Sequence, residues 1–245
     1  DVCFVVNAGA LRTRRKANAI LGLEGGPGSP QNQLVGRRHL GDAVFHGHRA
    51  AAKLEHQPEK LAGASSVAFI QCVGSRDDNR PYCSRICCTS SVAQAIAIKE
   101  TRPDTQVFIL YRDMRTYSER ELLYKKARDL GVLFVRFERE AKPTVDVSGE
   151  RIKVEAFDYV VNRDVRLFPD VVVLSTGLRA HPLTEKVGNQ YKLTGKPDGF
   201  FLERHPELGP VETSVEGVFL AGTLQGPKDI SDTVAQASAA AAKAA

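Results

Sequence analysis

Four of the five cysteines in this 245-residue chain fall between Cys72 and Cys88. A disulfide framework would spread its cysteines through a small secreted domain, so clustering of this kind points to a metal or redox site. The run Val67 to Gln71 reads as a buried parallel strand, and helix formers follow from Ser84 through Lys99. In a dinucleotide-binding βαβ unit such a strand enters a G-x-G-x-x-G turn, whose bare backbone admits a pyrophosphate to the helix N-terminus. Here the strand enters Cys72-Val73-Gly74-Ser75 instead, and the chain returns through Cys83, Cys87 and Cys88. Four thiolates at a strand end and a helix start suit a [4Fe-4S] cluster. The adjacent pair Cys87-Cys88 argues against a zinc ribbon, whose ligands come in pairs two to four residues apart. Zinc and a thiol or purely structural role remain the alternatives, and Cys3 reads as an isolated thiol.

The pattern around this cluster alternates between strand and helix. After the turn at Arg102-Pro103-Asp104, Val107 to Tyr111 forms a second strand. Ser118 and Glu121 have capping-box spacing before a helix that Gly131 is placed to end, and Val132 to Phe137 forms a third strand. Residues 65–142 are therefore expected to form a Rossmann-like βαβ lobe. Beyond Pro143 the texture changes. Arg151 to Val161 alternates like antiparallel strands, Val171 to Leu174 and Val218 to Ala221 are apolar runs, and an alanine-rich helix starts near Asp232. A second lobe over residues 143–245 is expected, with the division near 140–145. Residues 1–64 form a poorly defined segment, divergent or read out of frame, with a loop signal at Gly25 to Pro30.

Two motifs in the second lobe point to a flavin. Val173 to Leu178 is a strand ending in Thr176-Gly177, and Gly217 to Thr223 is a strand ending in a small-residue turn at Gly222. Small residues let a cofactor press on backbone, Thr223 could bond a ribityl hydroxyl, and the N-terminus of the following helix would favour negative charge on a reduced ring.

Composition excludes several classes. The formal charge of +5 arises mainly in residues 1–60, where nine Lys/Arg oppose five Asp/Glu, and no nucleic-acid motif accompanies it. There is no run of eighteen apolar residues and no leader pattern, so a cytoplasmic protein without membrane insertion is expected.

The segments Phe69-Ile70-Gln71-Cys72-Val73-Gly74-Ser75-Arg76-Asp77 and Tyr82-Cys83-Ser84-Arg85-Ile86-Cys87-Cys88 resemble the cluster-binding stretch of the A-type subunit of heterodisulfide reductase and its relatives in quinone-interacting oxidoreductase complexes. So does Gly222 to Ile230, followed by Val234 to Ala241. The resemblance covers residues 65–245. It implies an α/β, thioredoxin-reductase-type FAD/NAD(P)-binding fold lacking its N-terminal Gly-rich FAD half, with a cluster on Cys72, Cys83, Cys87 and Cys88. It also implies FAD beside Thr223, Gln225, Gly226, Lys228 and Asp229, and an oxidoreductase that works with other subunits of a heterodisulfide-reductase-like, hydrogenase or quinone-linked complex. No general acid, base or nucleophile is evident. The alternatives are an NADPH-dependent disulfide oxidoreductase, suggested by Arg112 and Arg115 after the second strand, and a zinc-stabilised non-catalytic module.

Overall fold

The computed structural model describes residues 63–245, together with the backbone of two short strands, β1 (Cys3–Val6) and β2 (Val44–His46). The remainder of the expected segment 1–64 lies outside the described residues. The chain divides into two compact units. The sheet unit is Thr13–Asn79 with Cys87–Gly177, and the C-terminal unit is Asp1–Arg12, Arg80–Ile86 and Leu178–Ala245.

The centre of the sheet unit is β3 (Ser66–Val73), an apolar run buried along nearly its whole length. The helix α1 (Cys87–Thr101) returns the chain to β4 (Gln106–Tyr111), and α2 (Glu121–Asp129) returns it to β5 (Leu133–Arg136). A hairpin-linked trio follows, β6 (Thr144–Asp146), β7 (Lys153–Asp158) and β8 (Arg163–Leu167), and then β9 (Val171–Thr176). The main sheet has the order β2-β9-β3-β4-β5 with every pair parallel, and β6-β7-β8 form a separate antiparallel sheet. A strand buried on both faces needs apolar residues at odd and even positions alike, which is why β3 reads as a continuous run. Val67 and Phe69 pack with Val92, Ala95 and Ile96 of α1, while Ala68 and Ile70 pack with Val154 and Ala156 of β7. Burial of Phe69, which is fully enclosed, contributes on the order of 1.5–3 kcal/mol relative to an exposed ring.

The start of the β3–β9 pair is pinned by one carboxylate. Asp170 Oδ2 accepts from the backbone N–H groups of Ser65 and Ser66 at 2.8 and 2.9 Å, and from their hydroxyls at 2.8 and 3.1 Å. Burial would raise the Asp170 pKa, but these four donors hold it below the ordinary value.

Two expectations need correction. The boundary near 140–145 falls instead after Gly177, because β6 to β8 cover a face of the main sheet and β9 enters it between β2 and β3. The Ser118–Glu121 capping box does not form. Ser118 has φ +61 and begins a short 3-10 turn, and the Glu121 carboxylate accepts from the Thr116 hydroxyl at 2.9 Å. Gly131 does cap α2: at φ +81 its N–H bonds Arg128 O while the Val132 N–H bonds Ala127 O, the paired bonds of a Schellman end.

In the C-terminal unit β1 pairs in parallel with β10 (Val218–Ala221). The helix α3 (Thr184–Tyr191) carries Gly188, where an added Cβ would stand 2.9 Å from the Phe201 ring, so the glycine lets that ring close on the helix. Phe201, Leu220 and Leu224 form the local core. A 3-10 turn at Gly222–Leu224 leads to α4 (Ile230–Ala244), which Asp229 caps by accepting from the Asp232 N–H at 2.7 Å. No described helix is long and apolar enough to cross a membrane.

Candidate redox site

In the main sheet the chain leaves β3 for β4 on one side, while β9 lies on the other. The carboxyl ends of β3 and β9 thus flank a topological switch point, where open α/β sheets bind their ligands. Cys72 lies in this end of β3, and the pairing of β3 with β9 slips there between Ile70 and Val73. Bulges of this kind redirect a side chain. Ile70 and Val73 both pack in the cluster on the β7 side, so the slip at Gln71 and Cys72 breaks the alternation of the strand. Cys72 has φ +60, a left-handed conformation that costs a non-glycine residue about 1–2 kcal/mol. Strain at such a place marks a residue held for its side chain.

Cys87 and Cys88 open α1 at the same edge. The Cys87 thiol reaches the carbonyl of Thr176 at 3.9 Å, and the Cys88 thiol reaches that of Asp113 at 3.8 Å. Arg76 Nη1 donates to Cys72 Sγ at 3.9 Å and its Nη2 to Asp113 Oδ2 at 2.5 Å, while Arg115 bonds the same carboxylate at 3.4 Å. Burial opposes the Arg76 charge, but the bond to Asp113 and the charge of Cys72 outweigh it, and its pKa lies above the ordinary value. Asp113, raised by burial but lowered more by Arg76 and Arg115, lies below its ordinary value. Gly177 closes the edge with a 2.9 Å bond from its N–H to Val73 O.

Cys83 belongs to the C-terminal unit, where its sulfur accepts from the Arg85 N–H at 3.3 Å. Each of the four sulfurs thus makes its own local contact. Among the described residues no three His, Cys, Asp or Glu side chains form a group that would hold one metal ion. A four-iron cluster makes a different demand, because each cysteine binds a different iron and the sulfurs stand apart. The donor chemistry fits such a cluster, and Gln71 supports the fit. This side chain is 2% exposed and neither its Nε2 nor its Oε1 has a partner. Buried amides are satisfied in native proteins, so one left open beside Cys72 calls for a polar group there.

Of the flavin residues expected at the turn after β10, Gly222, Gln225 and Lys228 are linked through Gln236 in one network in the C-terminal unit. Gly222, at φ +71, donates its N–H to Gln236 Oε1 at 2.9 Å. Gln225 Oε1 accepts from Lys228 Nζ at 2.8 Å and from Gln236 Nε2 at 2.5 Å, and Gln225 O accepts from Lys196 Nζ at 3.1 Å. Thr223 lies in the 3-10 turn between them. A Cβ on Gly226 would meet nothing within 4 Å, so the backbone there is open to a neighbour. Burial and the charges of Arg85 and Lys196 push the Lys228 pKa down, against Asp232 and Glu203. Thr176 and Gly177, expected with this group, belong to the sheet unit beside the cysteines.

Sequence reasoning did not assign roles to Gln71, Arg76, Asp113, Lys196 or Gln236. A lone polar residue closing an apolar strand was the available signal for Gln71. Arg76 and Asp113 stand 37 positions apart, so their pairing leaves no local pattern. The arginines expected for a 2′-phosphate are engaged: Arg112 Nη1 donates to Arg76 O at 2.8 Å, and Arg115 bonds Asp113.

A five-stranded parallel sheet flanked by helices and an antiparallel trio, with a second unit built on a strand–turn–helix, is the FAD/NAD(P)-binding fold of thioredoxin reductases. The Thermoplasma acidophilum enzyme superposes with a TM-score of 0.56 at 15% identity, over 83% of this chain and 57% of that one. L-lysine 6-monooxygenase from Pseudomonas syringae gives 0.53 at 13%, over 89% and 60%. No family model matches the chain. In sequence it is 42% identical over 183 residues to an A-type iron-sulfur subunit of CoB–CoM heterodisulfide reductase from Methanopyrus kandleri, and 45% identical over 179 residues to the corresponding subunit of the Methanocaldococcus jannaschii enzyme. These matches take in 73% and 71% of this chain but 28% and 27% of the relatives, so the chain spans less than a third of their length. Over that stretch it is similar to heterodisulfide reductase A-type subunits.

Proposed function

We propose that the chain is part of an electron-transfer flavoprotein subunit of a heterodisulfide-reductase-like complex in the cytoplasm, passing electrons between FAD and a [4Fe-4S] cluster and on to partner subunits. Cys72, Cys83, Cys87 and Cys88 would ligate the cluster. When bound, the flavin would supply two-electron chemistry and the cluster one-electron transfer. The single observation that carries this reading is the placement of Cys72, Cys87 and Cys88 at the switch point of the main sheet, where a dinucleotide fold otherwise seats phosphates.

The chain's own residues have the parts that outer-sphere transfer needs, which are binding and positioning. The bulge at Gln71–Cys72 aims one thiol, the first turn of α1 carries two more, and its dipole favours the negative charge of ligated thiolates. Around the second turn, Gly226 leaves backbone open, and Gly222 takes a left-handed turn that a side chain would strain. Lys228 and Lys196 hold positive charge beside the N-terminus of α4, which suits the anionic end of a reduced flavin. Thr223, Gln225 and Asp229 would complete that wall, with Thr176 and Gly177 assigned to the cofactor from the sheet unit.

The test is anaerobic purification followed by reduction with dithionite. A flavin spectrum that bleaches together with the appearance of a cluster EPR signal supports the reading, and Cys88→Ala should abolish the EPR signal. A colourless protein carrying zinc would reject it in favour of a non-catalytic module.

A further inference from the structure

Two of the proposed cluster ligands share one pair of charged residues. Arg76 Nη1 is 3.9 Å from Cys72 Sγ, its Nη2 is on the Asp113 carboxylate, and the Asp113 carbonyl receives the Cys88 thiol at 3.8 Å. The Arg76 side chain is only 13% exposed, and Arg115 holds Asp113 from the other side. A guanidinium is planar and presents its N–H groups in a fixed fork, so one residue can face a sulfur and a carboxylate at once, which an ammonium on a flexible stem cannot reproduce. The Arg76 guanidinium is far less exposed than the half-exposed Asp113 carboxylate, so water screens the cation less than its counter-ion and its charge is felt at the sulfur.

We infer that Arg76, held by Asp113, is a positioning residue for Cys72 and Cys88 and sets the reduction potential of the cluster they would ligate. This rests on the cluster assignment above. The argument concerns charge and N–H···S bonding. Reduction adds an electron to a group that is already negative, and a fixed cation and donor at one ligand sulfur stabilise the reduced form more than the oxidised form. Arg76 therefore raises the potential. Asp113 partly cancels that charge, but it also fixes the direction in which the guanidinium points. The Gly74–Arg76 turn makes this possible: Gly74 and Arg76 have φ +66 and +57, and the Ser75 N–H bonds Cys72 O at 3.3 Å, folding residue 76 back over residue 72.

The experiment is an EPR-monitored redox titration of the anaerobically purified chain and of four variants, Arg76→Met, Arg76→Lys, Asp113→Asn and Asp113→Asn combined with Arg76→Met, with iron measured in each. Arg76→Met should lower the potential until the reduced-to-oxidised ratio at a fixed solution potential falls at least tenfold, about 59 mV for one electron. Arg76→Lys should fall between the two and show altered g-values. In an Asp113→Asn background the effect of Arg76→Met should shrink, because the fork has lost its anchor. Unchanged potential and line shape in an iron-loaded Arg76→Met variant overturns the inference. Should that variant fail to retain iron, Arg76→Lys decides: an intermediate potential sustains the role, and a wild-type potential ends it. Wild-type chain without iron refutes the cluster assignment, and this inference with it, and is distinguished from the other failures because no variant is needed to see it.

Discussion

The carboxyl end of β3 and the turn after β10 are the same device, a strand that stops and hands the chain to a helix, yet they are built for different loads. At β3 the contacts come from side chains: the cysteines, the Arg76–Asp113 pair and the buried Gln71 amide. At β10 they come from backbone, with Gly222 at φ +71 turning the chain and Gly226 facing free space, and with amides and ammonium groups closing round Gln225. The contrast matches the proposed assignment: ligation through sulfur tolerates a crowded, strained backbone, while seating a flat cofactor against the chain needs glycine.

The largest way to disturb that contrast is to loosen the scaffold under the sulfur edge. Phe69 is enclosed between β3 and α1, so Phe69→Ala should destabilise the sheet unit by about 3–5 kcal/mol, read as a fall in the urea midpoint. A change below about 1 kcal/mol would mean that the sheet does not hold the edge rigid. Smaller, and specific to the backbone-built site, is Gly222→Ala. A left-handed conformation costs an L-residue about 1–2 kcal/mol, and the new methyl would sit 3.2 Å from Thr233 Cγ2. The variant should lose flavin while iron content stays near that of the parent. Loss of both in equal measure would erase the distinction between the two turns.

The smallest effect is a pH dependence. Lys228 titrates below its ordinary value in the folded state, so between that lowered pKa and about 10.4 the unfolded chain binds more protons, and stability rises with pH through this window. Lys228→Met should remove that part of the rise, seen as a smaller gain in melting temperature between pH 8 and pH 10 by about a degree or more. Equal gains in parent and variant would show that the ammonium is not buried among cations as the structure has it.

Much of the sheet was legible because burial on both faces writes itself as continuous apolar runs. β3, β4, β9 and β10 were all expected from such runs, and Gly131 marked the end of α2 correctly. The division of the chain was misplaced because β7 alternates like a strand of a new domain, although β9, an apolar run of the same kind as β3, was itself a sign that the parallel sheet continued. Ser118 and Glu121 had the spacing of a cap without its geometry, since Thr116 took the carboxylate first. Of the proposed site, the cysteines and the small-residue turns were named from spacing and resemblance. Arg76, Asp113 and Gln236 act through contacts between distant positions, and no local pattern encodes them.

The central claim is that these cysteines hold iron and sulfide. Iron and acid-labile sulfide should be measured on anaerobically purified chain, alongside the variant Cys87→Ala. The account predicts about four of each per chain, falling to near zero in the variant. Stoichiometric zinc with no sulfide, or iron content untouched by loss of Cys87, would contradict it.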